Sequence, residues 1–274
     1  MDCSSVIEHR GCRLAYKIRG SGVPVLFIQG TGVHGDGWAP QVAALADLGQ
    51  CLTFDNRGMG RSQPLGAPLT VAQMAEDALA VMDAAGWDSA HVVGHSLGGL
   101  VALQVALMAR ARVRSLALLC TFARGRDATK PSPWMLWVGL RTQLGPRRSR
   151  RHAFLQMVLP PAEHATVDRD ALAERLAPLF GHDLADQPPV AMKQLRAMSA
   201  CDLTPRLAEL AGLPTLVVSA GHDRIAPPAS GRAIAAGISG ARFVELAGAA
   251  HGVPLTDACR INALLLEHLS GAEH

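Results

Sequence analysis

The chain lacks the features that would tie it to a membrane, an oxidising compartment or a metal. Its 274 residues contain no charge-free apolar stretch of membrane-spanning length, and the opening residues carry charges where a secretory signal needs an apolar segment. Six cysteines stand far apart, without the close pairs of a zinc site or the density of a disulfide framework. We expect a cytoplasmic protein with reduced, mostly buried thiols and no metal; a Cys3–Cys12 bridge is the minor alternative.

Aromatic residues are also scarce, at 4% of the chain, and this weighs against nucleic-acid binding. Residues 124–151 hold eight lysines and arginines against one acid, Asp127, in a chain whose net charge is only +3. A nucleic-acid site would interleave aromatic residues with such charges, and only Trp134 and Trp137 lie near. We interpret the run as the solvated face of helices and expect no nucleic-acid partner, while attraction of an anionic substrate or membrane surface stays open.

Four apolar runs without alternation are typical of strands buried on both faces of a parallel sheet. They are residues 25–28, 91–94, 115–120 and 215–220. Helical patterns lie around them at 38–48, 71–85, 98–110, 230–238 and 255–269. Thr70 is the expected N-cap of the second helix. This order predicts an α/β fold with a doubly wound, mostly parallel sheet, preceded by an antiparallel hairpin that turns at Arg10 and Gly11.

The alternation breaks between about residues 123 and 210, where helical patterns with proline-rich joints replace strands. We predict an inserted helical cap over 123–210, with the core formed by 1–122 and 211–274. Several apolar cap residues could line a pocket or simply pack the cap on the core. They are Met135, Leu136, Trp137, Phe154, Met157, Leu159, Met192 and Met198.

A serine stands between glycines in VVGHSLGGLVALQVA, residues 92–106. The pattern G-x-S-x-G is weak evidence alone, but here it follows a predicted buried strand and begins a predicted helix. At that junction it predicts a strained turn that exposes the hydroxyl of Ser96 above the sheet. Gly94 and Gly98 leave space where side chains would collide with the neighbouring strand and helix. Ser96 is therefore the candidate nucleophile.

A serine hydroxyl needs a base to take its proton, and a third group that orients the base. In proteins with this strand–turn–helix motif the acid and the histidine follow the serine in the chain. Asp223 follows one predicted strand and His251 follows another, so both fall where open α/β sheets place their sites. Asp127 is a lower-ranked alternative acid. We predict that Ser96, His251 and Asp223 form a catalytic triad.

The chain resembles the α/β-hydrolase fold superfamily, in its capped branch of serine esterases, lactonases and carbon–carbon hydrolases. The segments that carry the resemblance are VLFIQGTGVHGDGW, LTFDNRGMGRS, VVGHSLGG, TLVVSAGHDRIAPP and AGAAHGVPL. The resemblance implies structural roles for Asp55, Arg57 and Gly58. The cap matches no family pattern.

The resemblance also implies an oxyanion hole made of two backbone N–H groups. By position these belong to Thr31, or else Gly32, and to Leu97. The family usually has His-Gly at the start of the first loop, whereas this chain has Gln29-Gly30. Because the donors are backbone groups, this difference need not abolish activity.

The predicted function is that of a serine hydrolase that cleaves an ester or lactone of a small to medium, largely apolar molecule through an acyl-enzyme. No cofactor is required. His34, Trp134, Met135 and Trp137 are the candidates for the substrate pocket. Three alternatives stay open on the same scaffold: a triad-retaining ligand receptor, an acyltransferase or perhydrolase, and a carbon–carbon bond hydrolase. We expect a monomer or a homodimer.

Overall fold

The computed structural model describes residues 3–66, 68–129 and 132–272. Its strands are β1 (Cys3–His9), β2 (Cys12–Arg19), β3 (Val23–Ile28), β4 (Gly49–Phe54), β5 (Ala90–His95), β6 (Val113–Leu119), β7 (Thr215–Ala220) and β8 (Arg242–Leu246). Its α-helices are α1 (Ala39–Leu45), α2 (Val71–Ala84), α3 (Leu97–Met108), α4 (Arg126–Thr129), α5 (Pro133–Gln143), α6 (Arg147–Val158), α7 (Pro161–Thr166), α8 (Arg169–Phe180), α9 (Ala191–Ser199), α10 (Pro228–Gly237), α11 (Val253–Thr256) and α12 (Ala258–Gly271). Each predicted strand and helix overlaps an observed element, and the helix predicted over 255–269 overlaps two, α11 and α12.

The strands form one eight-stranded sheet in the order β1-β2-β4-β3-β5-β6-β7-β8. The first two strands form the predicted hairpin, and β2 pairs antiparallel with β4. All pairs from β4 to β8 are parallel. The expected doubly wound, mostly parallel sheet is confirmed, and the carboxyl ends of β5, β7 and β8 lie at one edge.

The third strand shows why the apolar runs do not alternate. Leu26 and Ile28 pack into a core layer that includes α2, α3 and α10. Val25 and Phe27 point the other way, into a layer that includes α1 and α12. Because helices cover both faces, every position along the strand removes apolar surface from water, which stabilises the fold by about 1.5–3 kcal/mol for each large side chain.

The helices α4 to α9 all lie between β6 and β7, in the segment predicted to be the cap. Backbone hydrogen bonds join the two ends of this insertion, from Gly125 N–H to Cys201 O and from Leu203 N–H to Ala123 O. The insertion has an apolar core of its own, to which Leu155, Leu176 and Phe180 contribute. Within the described ranges, no helix has the length and apolar character needed to cross a membrane.

The basic run pairs extensively with acids of the cap. Arg147 binds Asp186, Arg151 binds Asp183, and Arg148 donates to Asp170 at 2.8 Å. The hydrogen bond from Arg148 lowers the pKa of the Asp170 carboxyl to about 2. Five of the seven described basic residues of the run are exposed and two, Arg150 and Arg151, are half-buried, while Lys130 lies outside the described residues. Acids distant in sequence balance much of the charge of this run.

The hairpin register excludes the Cys3–Cys12 alternative. The side chain of Cys3 lies outside the described residues, but its backbone pairs with Ile18, whereas Cys12 pairs with His9 at the turn. The two cysteines are therefore about 20 Å apart along the strands. Cys12 is a free, buried thiol, in line with the expected reduced state.

Two half-buried histidines, His95 and His268, are expected to make the fold less stable in mild acid. Burial lowers the pKa of His95 to about 3 and that of His268 to about 4, whereas both titrate near 6.5 in an unfolded chain. The unfolded chain thus binds more protons as the pH falls below about 6.5, so the free energy of unfolding falls by up to about 1.4 kcal/mol per pH unit for each histidine.

Urea unfolding at pH 7, 6 and 5 measures how the free energy of unfolding changes with pH, and the His268→Gln variant is the comparison. The variant should lose part of the pH dependence, because its side chain carries no proton in either state. Equal slopes for the variant and the parent would contradict the expectation for His268.

Candidate active site

Ser96 lies in a strained turn between β5 and α3. Its φ of 55° is in the left-handed region, and its N–H donates to Leu119 O on the neighbouring strand at 3.0 Å. The two flanking glycines are required by close backbone approach. A Cβ at Gly94 would lie 2.3 Å from Gly98 O, and one at Gly98 would lie 2.0 Å from Ile28 O. The serine is thereby held with its hydroxyl at the sheet edge.

Three side chains that are distant in sequence form a continuous hydrogen-bonded chain. Ser96 Oγ lies 3.0 Å from His251 Nε2, and His251 Nδ1 lies 2.7 Å from Asp223 Oδ2. All three residues are buried, with exposed fractions of 6%, 7% and 4% for the serine, histidine and aspartate. With Nδ1 donating to the carboxylate, Nε2 is left to accept the serine proton, as a general base requires.

The carboxylate of Asp223 is fixed on its other side by two backbone donors. Its Oδ1 accepts the N–H groups of Ile225 and Ala226, both at 2.8 Å. Cys120, directly after β6 and with a φ of 46°, is also next to it. Burial, followed by the neighbouring Asp223 charge, raises the pKa of the Cys120 thiol well above its usual range, so the thiol stays protonated beside the carboxylate.

His95, at the variable position of the serine motif, contacts the histidine of the chain. Its Nε2 donates to His251 O at 2.9 Å, and the centroids of the two rings are 4.9 Å apart. Burial, assisted by His251, lowers the pKa of His95 to about 3, so His95 is neutral near pH 7. A neutral ring adds no charge beside His251. The sequence alone gave this residue no role, because the contact spans 156 positions.

Two backbone N–H groups next to the serine have no protein acceptor among the described residues: those of Thr31 and Leu97. These are the two groups implied for the oxyanion hole. The alternative donor, Gly32, does not fit, because its N–H donates to the side-chain oxygen of Gln194 at 2.9 Å. The side chain of Gln29 accepts from Gly30 N–H at 3.1 Å and so stabilises the first turn of the loop.

A cavity of about 770 Å³ opens above these groups, between the core and the cap. Its floor includes Gln29, Thr31, Ser96 and His251. Its walls are mostly apolar cap side chains, among them Met135, Phe154, Met157, Met192 and Met198. Of the described residues that line it, none is an aspartate, glutamate, lysine or arginine.

Three of the four candidate pocket residues lie outside this lining. His34 packs over Gly181, since a Cβ there would lie 2.0 Å from its ring. Trp134 lies under the guanidinium of Arg224, and Trp137 is 49% exposed. Only Met135 of the four lines the cavity.

Two other cap residues named as possible lining, Leu136 and Leu159, also lie elsewhere. Leu136 is exposed and Leu159 belongs to the core of the cap. The helix α5 is apolar on nearly all sides, so its sequence does not show which face meets the cavity.

The remaining predicted residues serve the scaffold. Asp127 pairs with Arg124 at 3.0 Å and takes no part in the hydrogen-bonded chain. Arg57, fully buried, donates to Asp77, and Asp55 accepts the N–H of Gly35 at 2.9 Å. Nowhere in the described part of the chain do three or more histidine, cysteine, aspartate or glutamate side chains form a group that could hold a metal ion.

Comparisons with known proteins show the family to which the chain belongs. The family model described as alpha/beta hydrolase fold matches residues 23–258. A protein from Azorhizobium caulinodans named "Putative carbamate hydrolase RutD" is 33% identical over 256 residues, which cover 92% of this chain and 93% of that protein.

Two solved structures are similar over nearly the whole chain. The enol-lactonase from Burkholderia xenovorans LB400 has a TM-score of 0.80 at 28% identity, covering 97% of this chain and 100% of its own. A hydrolase from Pseudomonas aeruginosa PA01 has a TM-score of 0.81, also at 28% identity, covering 97% of this chain and 98% of its own.

Proposed function

This chain is a hydrolase of the α/β-hydrolase fold family, and we propose that it cleaves a carboxylic ester or lactone of a largely apolar molecule through an acyl-enzyme on Ser96. The observation that carries the proposal is the hydrogen-bonded chain from Ser96 Oγ through His251 to Asp223, at 3.0 and 2.7 Å, on the floor of a cavity. A hydroxyl in that position can lose its proton as it attacks a carbonyl carbon.

The chemistry proceeds in two halves. Ser96 attacks the carbonyl carbon while His251 Nε2 takes the hydroxyl proton, and the resulting imidazolium is stabilised by Asp223. The N–H groups of Thr31 and Leu97 stabilise the oxyanion of the tetrahedral intermediate. His251 then protonates the leaving alcohol, and in the second half it deprotonates the water that releases the acid and restores the serine.

The cavity selects the class of substrate. Its lining has no charged side chain among the described residues, so an anionic substrate would lose its hydration without gaining an ion pair. Four methionines, Met135, Met157, Met192 and Met198, give the walls an adaptable apolar surface. A neutral ester or lactone with an apolar acyl or alkyl part of several carbons fits this environment.

A carbamate is the second candidate, favoured by the relative named as a carbamate hydrolase at 33% identity. A carbamate ester presents a carbonyl to the same nucleophile and would use the same two oxyanion donors. The uncharged lining favours a neutral carbamate ester over a free carbamate anion.

An activity panel combined with covalent labelling tests the proposal. A fluorophosphonate probe should react with Ser96, because attack of Oγ on phosphorus releases fluoride and leaves a serine phosphonate that mass spectrometry locates. The panel contains p-nitrophenyl esters from acetate to decanoate, γ- and δ-lactones, neutral alkyl carbamates and matched substrates with a terminal carboxylate. We expect kcat/KM to be higher for the neutral member of each matched pair by about tenfold or more. The reason is that the charged member must bury its carboxylate without a partner, which costs free energy.

Two results would contradict this proposal. Labelling of a serine other than Ser96 would reject the assignment of the nucleophile. A preference for the carboxylate-bearing members would reject the uncharged substrate class.

A further inference from the structure

The loop that carries Thr31 is attached to the cap through both polar backbone groups of the next residue. Gly32 N–H donates to Gln194 Oε1 at 2.9 Å, and Gly32 O accepts from His182 Nε2 at 2.8 Å. Gln194 belongs to α9, and His182 follows α8. No residue of the core makes either of these two contacts, so the peptide groups before and after Gly32 are both held by the cap.

The packing around the loop is also divided between the cap and the core. The φ of Gly32 is +72°, and a Cβ there would lie 3.7 Å from Pro188 and 3.9 Å from Ala191, so cap atoms lie directly over it. On the core side, Asn56 donates to Gln29 O at 2.9 Å. The loop is therefore held from below by the core at its start and from above by the cap at Gly32.

Gln194 is fully buried, which is unusual for an amide side chain. Its oxygen accepts from the loop, and its side-chain nitrogen has no partner among the described residues. A buried amide with an unpaired donor is less favourable than an apolar side chain of similar size unless its remaining contact is useful. Its remaining side-chain contact is the one to Gly32.

We propose that Gln194 is a positioning residue that makes the oxyanion hole depend on the cap. Its hydrogen bond holds the peptide between Thr31 and Gly32, which limits rotation about the backbone of Thr31 and so restrains the Thr31 N–H in the preceding peptide. This inference rests on the proposed function of the site. The hole is complete when α9 packs on the loop, and it loses one donor when α9 moves away.

The same helix, α9, also lines the cavity that we propose for the substrate. Met192, Leu195 and Met198 of α9 line the cavity, one helical turn or less from Gln194. A substrate that displaces α9 from these contacts shifts Gln194 with it. Substrates of different shape should therefore differ in kcat as well as in KM, because a substrate that displaces α9 also displaces the Thr31 oxyanion donor.

The test compares Gln194→Met, which keeps the length and removes the acceptor, with Gln194→Glu, which keeps an acceptor oxygen. Lys193→Met, at an exposed neighbouring position, is the matched control. Because one oxyanion donor contributes about 10²–10³ to kcat, we expect Gln194→Met to lower kcat by about tenfold or more, with KM changed less than about twofold. The affinity for an alkylboronic acid, which forms a tetrahedral adduct on Ser96, should fall by a similar factor.

The Glu variant should retain more of kcat than the Met variant, and Lys193→Met should behave as the parent does. A higher KM with unchanged kcat and unchanged boronic acid affinity would overturn the proposal, since it would make Gln194 a packing residue only. His182→Phe removes the second hydrogen bond to Gly32 and provides an independent test if Gln194→Met does not fold. It should also lower kcat more than it raises KM.

Hydrogen–deuterium exchange separates this inference from the proposed function. Peptides that cover residues 29–34 should exchange faster in Gln194→Met than in the parent or in Lys193→Met, whether or not any ester is hydrolysed. Unchanged exchange would overturn the inference even in an active enzyme. If the parent hydrolyses no ester and binds no boronic acid, the proposed function fails, and exchange alone decides whether Gln194 holds the loop.

Discussion

Replacing Ser96 by alanine is expected to lower kcat for a p-nitrophenyl ester by about 10⁶, the size of effect seen when a triad nucleophile is removed. Without Oγ no acyl-enzyme forms, and the remaining rate comes from water attack assisted by the two oxyanion donors. Stopped-flow and long-time assays of p-nitrophenol release measure the loss. Circular dichroism and thermal unfolding should show a folded protein, because the hydroxyl contributes one hydrogen bond, to His251 at 3.0 Å.

Ser219→Ala is the matched control for this variant. Ser219 is a buried serine on β7, which is separated from β5 by β6, and its hydroxyl has no hydrogen-bond partner among the described residues. Its removal should leave turnover within about twofold, since a buried hydroxyl without a partner makes no contribution to lose. Undiminished turnover in Ser96→Ala, or equal losses in the two variants, would refute Ser96 as the nucleophile.

The sequence predicts the sheet well because its strands are buried on both faces. Runs such as residues 25–28 are apolar at every position, and this pattern is typical of a strand that helices cover on both sides. The residues of the hydrogen-bonded chain, which we propose as the catalytic triad, could also be predicted, since a G-x-S-x-G motif at a strand–helix junction fixes the place of Ser96. The rule that site residues follow parallel strands then selects Asp223 and His251.

The cavity wall could not be predicted in the same way. In α5 the apolar residues lie on nearly all sides, so a helical period does not separate Met135, which lines the cavity, from Trp137, which is exposed. The contacts of Gln194 and His182 with Gly32 span 162 and 150 positions and leave no local pattern. Such contacts depend on how the cap packs on the core, which is a property of the tertiary structure.

Asp223, the acid that we propose for the triad, is the second position where a substitution should lower kcat strongly, and Asp127 provides its matched control. Asp127→Asn changes the other acid that the sequence offers, and it should leave kcat within about twofold, because Asp127 pairs with Arg124 and does not itself line the cavity. Replacing Asp223 by asparagine leaves the volume of the side chain nearly unchanged. A lower kcat in that variant therefore reports a change in hydrogen bonding and charge.

Asp223→Asn is expected to lower kcat by about 10⁴ through the tautomer of His251. Two backbone N–H groups at 2.8 Å require an acceptor at the Oδ1 position, so the asparagine keeps its oxygen there and turns its NH₂ toward His251 Nδ1. Nδ1 must then accept, the ring proton moves to Nε2, and Nε2 can no longer take the proton of Ser96. The rate should rise at high pH, where hydroxide replaces the missing base. A variant that keeps the parent's kcat and pH profile would show that Asp223 does not orient the base.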